Sequence, residues 1–78
     1  MLTCRIVSPQ RTQYVERLTK ITIPAYRGEM QILTGHAETF VSVLPGDVVL
    51  HEAAGSVDRI PILGGQCHVS GNAVVIIL

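Results

Sequence analysis

The sequence predicts an all-β fold, a two-sheet β-sandwich or flattened barrel of about eight to ten short strands. Three observations carry that expectation. Apolar and β-branched residues gather in short runs, several with period-two alternation. Turn-forming Gly, Pro, Ser and Asn punctuate the breaks between them. No segment has the period of an amphipathic helix. "AETFVSVL", from Ala37, comes nearest, but its β-branched residues and the flanking Gly35 and Pro45 outweigh the helical reading.

Taken in order, Leu2, Cys4 and Ile6 alternate with Thr3 and Arg5 as a half-buried strand that Ser8-Pro9 ends. A second run covers 13–16 around Tyr14. A third, 18–23, sets Ile21 and Ile23 on one face and Lys20 and Thr22 on the other. Leu18 is out of phase with that pair, which predicts a bulge near Thr19. Pro24 is expected to stop the run. Further strands are expected at 30–33, at 39–44 before the Pro45-Gly46 turn, and at 48–51 before a hairpin loop at 52–56. Pro61 in the run 57–63 predicts an edge strand or bulge, because proline cannot donate to a ladder. Gly64-Gly65 is a kink, 66–69 a strand, Ser70-Gly71-Asn72 a tight hairpin, and 73–78 a closing apolar strand. The predicted core takes Ile6, Ile21, Ile23, Ile32, Phe40, Leu50, Ile62 and Val75.

The chain has 78 residues, read as one domain over 1–78. It is 47% hydrophobic but only 15% charged, against about 25% charged in an average soluble domain. That apolar surplus exceeds what a small core hides, so some of it should lie on a surface that another chain covers. Net charge is zero and aromatic residues make up 4%, which argues against nucleic-acid binding by phosphate neutralisation or base stacking. No apolar run approaches the ~20 residues of a membrane span, and the N-terminus has no signal-peptide core. Cys4 and Cys67 are far apart and lack the close spacing of a zinc site. They read as reduced, half-buried thiols; a disulfide would require their strands to lie side by side. Neither a metal nor a cofactor is expected, although His51, His68 and the two cysteines can be assembled into a site on paper. Glu38 near His36 raises the question of a catalytic pair, yet the nearest serine or cysteine is Ser42, on the strand that follows.

The stretch "GEMQILTGHAETFVSVLPGDV" resembles the N-terminal β-sandwich domain of the ATP synthase epsilon subunit, the delta subunit of mitochondrial enzymes. The shared pattern is Gly28-Glu29, the apolar run 30–33, the corner Gly35-His36-Ala37, the strand 40–44 and the turn Pro45-Gly46. "RIVSPQR" is similar to the family's opening strand and Ser-Pro turn, and "ILGGQCHVSGNAVVIIL" to its closing Gly-Gly, strand, hairpin and strand. Thr34 stands where the family usually has proline, Gln31 where it often has glycine, and Pro24-Ala25 replaces a glycine-containing turn. The family usually continues into two C-terminal helices that restrain ATP hydrolysis; the expectation here is a sandwich without that regulatory arm.

The resemblance implies a non-catalytic rotor part of a hetero-oligomeric complex. It would pack against the gamma subunit above the ring of c subunits and pass torque to the catalytic head. It would be peripheral on the cytoplasmic face of a bacterial inner membrane. It implies a c-ring contact at Glu29, a gamma and ring contact at His36 and a gamma contact at Ser8. Taken alone, Glu29 is a solvated turn carboxylate, His36 a corner residue and Ser8 a turn-forming serine. Gly28, Gly35, Pro45, Gly46, Gly64 and Gly65 are expected to shape turns. A free-standing sandwich that binds a ligand or peptide is the alternative reading.

Overall fold

The computed structural model of the chain describes residues Met1–Leu78. It contains eight strands and no helix: β1 (Leu2–Val7), β2 (Thr12–Ala25), β3 (Gly28–Leu33), β4 (Thr39–Val43), β5 (Gly46–Glu52), β6 (Val57–Ile62), β7 (Gly65–Ser70) and β8 (Ala73–Ile77). The hydrogen-bonded order is β4-β7-β8-β1-β2-β5-β6, with β3 paired to β2. All pairs are antiparallel except β1 with β8.

β2 joins the two halves of the fold. Residues 12–18 pair with β1; residues 20–25 pair with β3, and 20–22 also with β5. A straight strand of fourteen residues would run about 46 Å at the usual rise. The molecule measures only 27 Å in its longest direction, so β2 folds over. It does so around Arg17, whose φ of 60° is the one positive value outside glycine. Register slips between Leu18 and Lys20 against β5, which is the bulge that the phase of Leu18 predicts. Five strands, β4-β7-β8-β1 and the first half of β2, form one layer. The second half of β2 with β3, β5 and β6 forms the other.

The expected second and third runs are therefore one bent strand, because a bulge redirects a strand without ending its ladder. Pro24 does not stop it either. A strand residue points its N–H and C=O to the same edge, and Pro24 O accepts from Leu44 N at 2.9 Å. Its nitrogen thus faces away from β3 and that ladder loses no rung. Pro61 lies in β6, which ends the sheet path, as a proline-bearing strand should.

The core gathers Leu2, Cys4, Ile6, Leu18, Ile21, Ile23, Ile32, Leu50, Val69, Val74 and Ile76 among others, all at most 3% exposed. Two expected core residues lie elsewhere. Phe40 is 75% exposed, because Val43 on the same strand is buried and a strand alternates faces. Val75 is half-buried for the same reason, its neighbours Val74 and Ile76 taking the inner face. Cys4 and Cys67 are free and fully buried, on strands separated by β8. Burial, with the neighbouring Cys67 adding to it, pushes the Cys4 thiol up to about 12; burial alone pushes Cys67 up to about 11.

Candidate functional site

The loops collect at two ends of the sandwich. At one end, Leu78 N donates to Val7 O and Leu44 N to Pro24 O, while Gly46 lies against the Pro24 ring. Ser8, Pro9, Pro61, Leu63 and Leu78 line an open groove of about 400 Å³ there. Ser8 is committed to its turn: its hydroxyl donates to Arg11 O at 2.9 Å and accepts from Arg11 N at 3.2 Å. Glu29 pairs with Pro24 across the β2–β3 hairpin and is exposed, beside Gly28 and the fully projecting Tyr26. Pro45-Gly46 and Gly64-Gly65 turn the chain at this same end. Gly65 is demanded by packing, since a Cβ there would sit 2.2 Å from Ile77 O.

At the other end Thr3 N and Gly35 N both bond to Asn72, the first to its backbone oxygen at 2.9 Å and the second to its side-chain Oδ1 at 3.1 Å. Gly35 has φ of 85°, a conformation that favours glycine. His36 N donates to Leu33 O, closing a turn at the end of β3. The His36 ring is half-buried, with Nδ1 2.8 Å from Ala37 O. β3 thus separates Glu29 and His36 to opposite ends of the molecule, and Ser8 falls with Glu29. The three expected contact residues do not form one site.

A third feature gives a place to the exposed apolar surface that the composition predicts. Strand register aligns Phe40, His68, Val75, Arg5 and Tyr14 in one row across β4, β7, β8, β1 and β2. A second row holds Ser42, Gln66, Ile77, Val7 and Thr12. Both rows face outward from the five-stranded layer. Phe40 stacks on His68 with ring centroids 4.0 Å apart and planes 7° from parallel. His68 Nε2 lies 3.0 Å from Glu38 Oε2. Beside them a shallow pocket of about 270 Å³ is lined by Phe40, Gln66, Cys67, His68, Val75 and Ile77. Exposed Phe40, Tyr14 and Ile77, with one Arg5 among them, make an apolar face with a single cation. The signal for it was in "TFVSV", where Phe40 shares its phase with polar Ser42.

Glu38 therefore partners His68 rather than His36, and the pair has no nucleophile. Ser42 Oγ accepts from Gln66 Nε2 at 3.3 Å, and the raised Cys67 thiol lies in the core. No three His, Cys, Asp or Glu side chains gather in a metal-binding group. What the arrangement offers is an outward apolar face with a stacked Phe40–His68 pair at its edge.

The family model described as "ATP synthase, Delta/Epsilon chain, beta-sandwich domain" matches residues 1–78. The chain belongs to this family. The ATP synthase epsilon chain of Rhizobium meliloti is 40% identical over 60 residues, covering 77% of this chain and 45% of the relative. That of Sinorhizobium medicae is 42% identical over the same shares. The chain thus spans about half the length of the epsilon chains it matches. A chain of the Euglena gracilis mitochondrial ATP synthase superposes with a TM-score of 0.90 at 28% identity, covering 97% of this chain and 49% of that one. A chain from the central stalk and c ring of the Tetrahymena thermophila mitochondrial ATP synthase has a TM-score of 0.78 at 14% identity, a likeness of fold alone.

Proposed function

We propose that this delta/epsilon sandwich is a non-catalytic coupling part of the central stalk of an F-type ATP synthase. It binds the gamma subunit and the c ring and helps transmit rotation between ion translocation and ATP synthesis. It works at the cytoplasmic surface of a bacterial membrane, without spanning it. The observation that carries this reading is the outward apolar face: Phe40, Tyr14 and Ile77 stand exposed around half-buried Val75 on a domain of a stalk-forming family. An apolar face of this kind favours a permanent partner chain over solvent.

Gamma is assigned to that face and to the adjoining His36 corner. The c ring is assigned to the opposite end, where Glu29 offers a carboxylate to basic or amide groups of the ring's polar loops. Ser8, already bonded within its turn, acts by shaping the rim of the apolar groove beside Leu63. Two well-separated contacts suit a part that must receive torque at one place and deliver it at another.

The test is reconstitution of a bacterial ATP synthase depleted of its own epsilon chain. Addition of this chain should bring gamma and c subunits down with it and restore ATP-driven ion pumping. A soluble chain that binds neither would instead support a free-standing binding module.

A further inference from the structure

The Gly35–Glu38 corner is tied down from a single neighbour, the β7–β8 hairpin, at both of its ends. Asn72 Oδ1 accepts from Gly35 N at 3.1 Å, and His68 Nε2 meets Glu38 Oε2 at 3.0 Å. Between these ties His36 has only local bonds, to Leu33 O and Ala37 O. Gly35 contributes no side chain of its own, and a Cβ there would touch nothing within 4 Å, so packing does not hold the chain at Gly35. Without the two ties the corner would have to be ordered at the moment a partner binds, at an entropic cost.

We propose that Asn72 is a positioning residue for partner binding: its side-chain oxygen holds the Gly35 amide and so presents His36 to the partner in a preformed conformation. This rests on the reading that the His36 corner touches the gamma subunit. Asn72 suits the role because its two oxygens serve two segments. The backbone oxygen holds Thr3 at the start of β1, and the side-chain oxygen reaches across to the β3–β4 connection. The corner is thereby fixed to the β1–β8 seam of the five-stranded layer, the layer that carries Phe40. Asn72 has a negative φ, so alanine fits its backbone and substitution removes the side-chain bond alone.

The experiment compares Asn72→Ala, Asn72→Asp and His36→Ala in the full chain. Amide hydrogen exchange at Gly35 should speed up about tenfold or more in Asn72→Ala, and Asn72→Asp, which keeps an acceptor oxygen, should restore protection. Affinity for the epsilon-depleted ATP synthase should fall about tenfold in Asn72→Ala and recover in Asn72→Asp. Adding Asn72→Ala to His36→Ala should weaken binding less than it does in the parent chain, because both act through one corner. Unchanged Gly35 exchange in Asn72→Ala overturns the proposal. So does unchanged affinity in Asn72→Ala while His36→Ala weakens binding, an outcome that leaves the His36 contact standing. If His36→Ala also binds normally, the corner contact itself fails and the proposal falls with it.

Discussion

The two ends of this sandwich are built on different physics. The Ser8 end is packed through its backbone: Gly46 presses on the Pro24 ring and Gly65 leaves no room for a Cβ, while Leu63 is 95% exposed and Tyr26 84% beside charged Arg27 and Glu29. At the Asn72 end the chain crossings are fixed by hydrogen bonds to Gly35, Thr3 and Arg17. The difference teaches that one small β-domain can offer two partners chemically distinct surfaces, provided that the strands between them are rigid. Those strands supply a core in which thirteen side chains are at most 3% exposed.

The sharpest test of that contrast substitutes one glycine at each end. Gly65→Ala forces a Cβ against the Ile77 carbonyl and should destabilise by about 3 kcal/mol or more, as overpacking against backbone does. Gly71→Ala meets nothing within 4 Å and should cost about 1–2 kcal/mol, for its φ of +60° alone. Urea unfolding of the two variants measures both. Equal losses would break the comparison.

A second prediction probes the core between the ends. Unfolded thiols ionise near pH 9, whereas Cys4 and Cys67 in the fold keep their protons up to about 12 and about 11. Above pH 9 the unfolded chain therefore binds fewer protons than the folded one. Stability falls with rising pH by up to about 1.4 kcal/mol per unit for each thiol, until the folded thiols ionise in turn. Urea midpoints measured from neutral to alkaline pH should show the slope, and the Cys4→Val, Cys67→Val double variant should lose this part of it.

Much of this was legible in the sequence. Turn residues mark most of the strand ends, although Pro24 does not end β2 and the break expected within β2 is a bend, located by the phase of Leu18, that lets β2 serve both layers. Ile6, Ile21, Ile23, Ile32, Leu50 and Ile62 were expected in the core and are buried. The size of Phe40 favours the core, but the phase of its strand decides against it: Val41 and Val43 claim the inner face. In "AVVIIL" every residue is apolar, so no alternation could say that Val74 and Ile76 point inward while Val75 does not. The bond from Asn72 to Gly35 joins residues far apart in sequence, and no local pattern announces it.

Phe40 now serves as a third test. Being 75% exposed, Phe40→Ala should change stability by less than about 1 kcal/mol despite removing the chain's largest apolar side chain. The same substitution should weaken binding to the epsilon-depleted complex about tenfold or more, as loss of an aromatic anchor does. A stability loss as large as that of a core truncation would return Phe40 to the interior. The smallest expected effect is a coupling energy. Glu29→Lys and His36→Ala act at opposite ends, so their effects on assembly free energy should add to within about 0.5 kcal/mol. Each should impair pumping, and the pair should uncouple hydrolysis from pumping more than either alone. Normal assembly and pumping in both would remove these residues from the contact surface.

The parallel pairing of β1 with β8 has a consequence for how the chain reaches this shape. Thr3 lies beside Ala73 and Val7 beside Ile77, so the five-stranded layer closes only when the two extremes of the sequence meet. Contacts of such long separation slow folding, because the loop must close before they can form. During synthesis β1 can pair with β2, but its other edge stays open until β8 leaves the ribosome. Deleting β8 would do more than remove one strand. It would leave β1 and β7 as two unpaired edges, turning a closed layer into a template for aggregation.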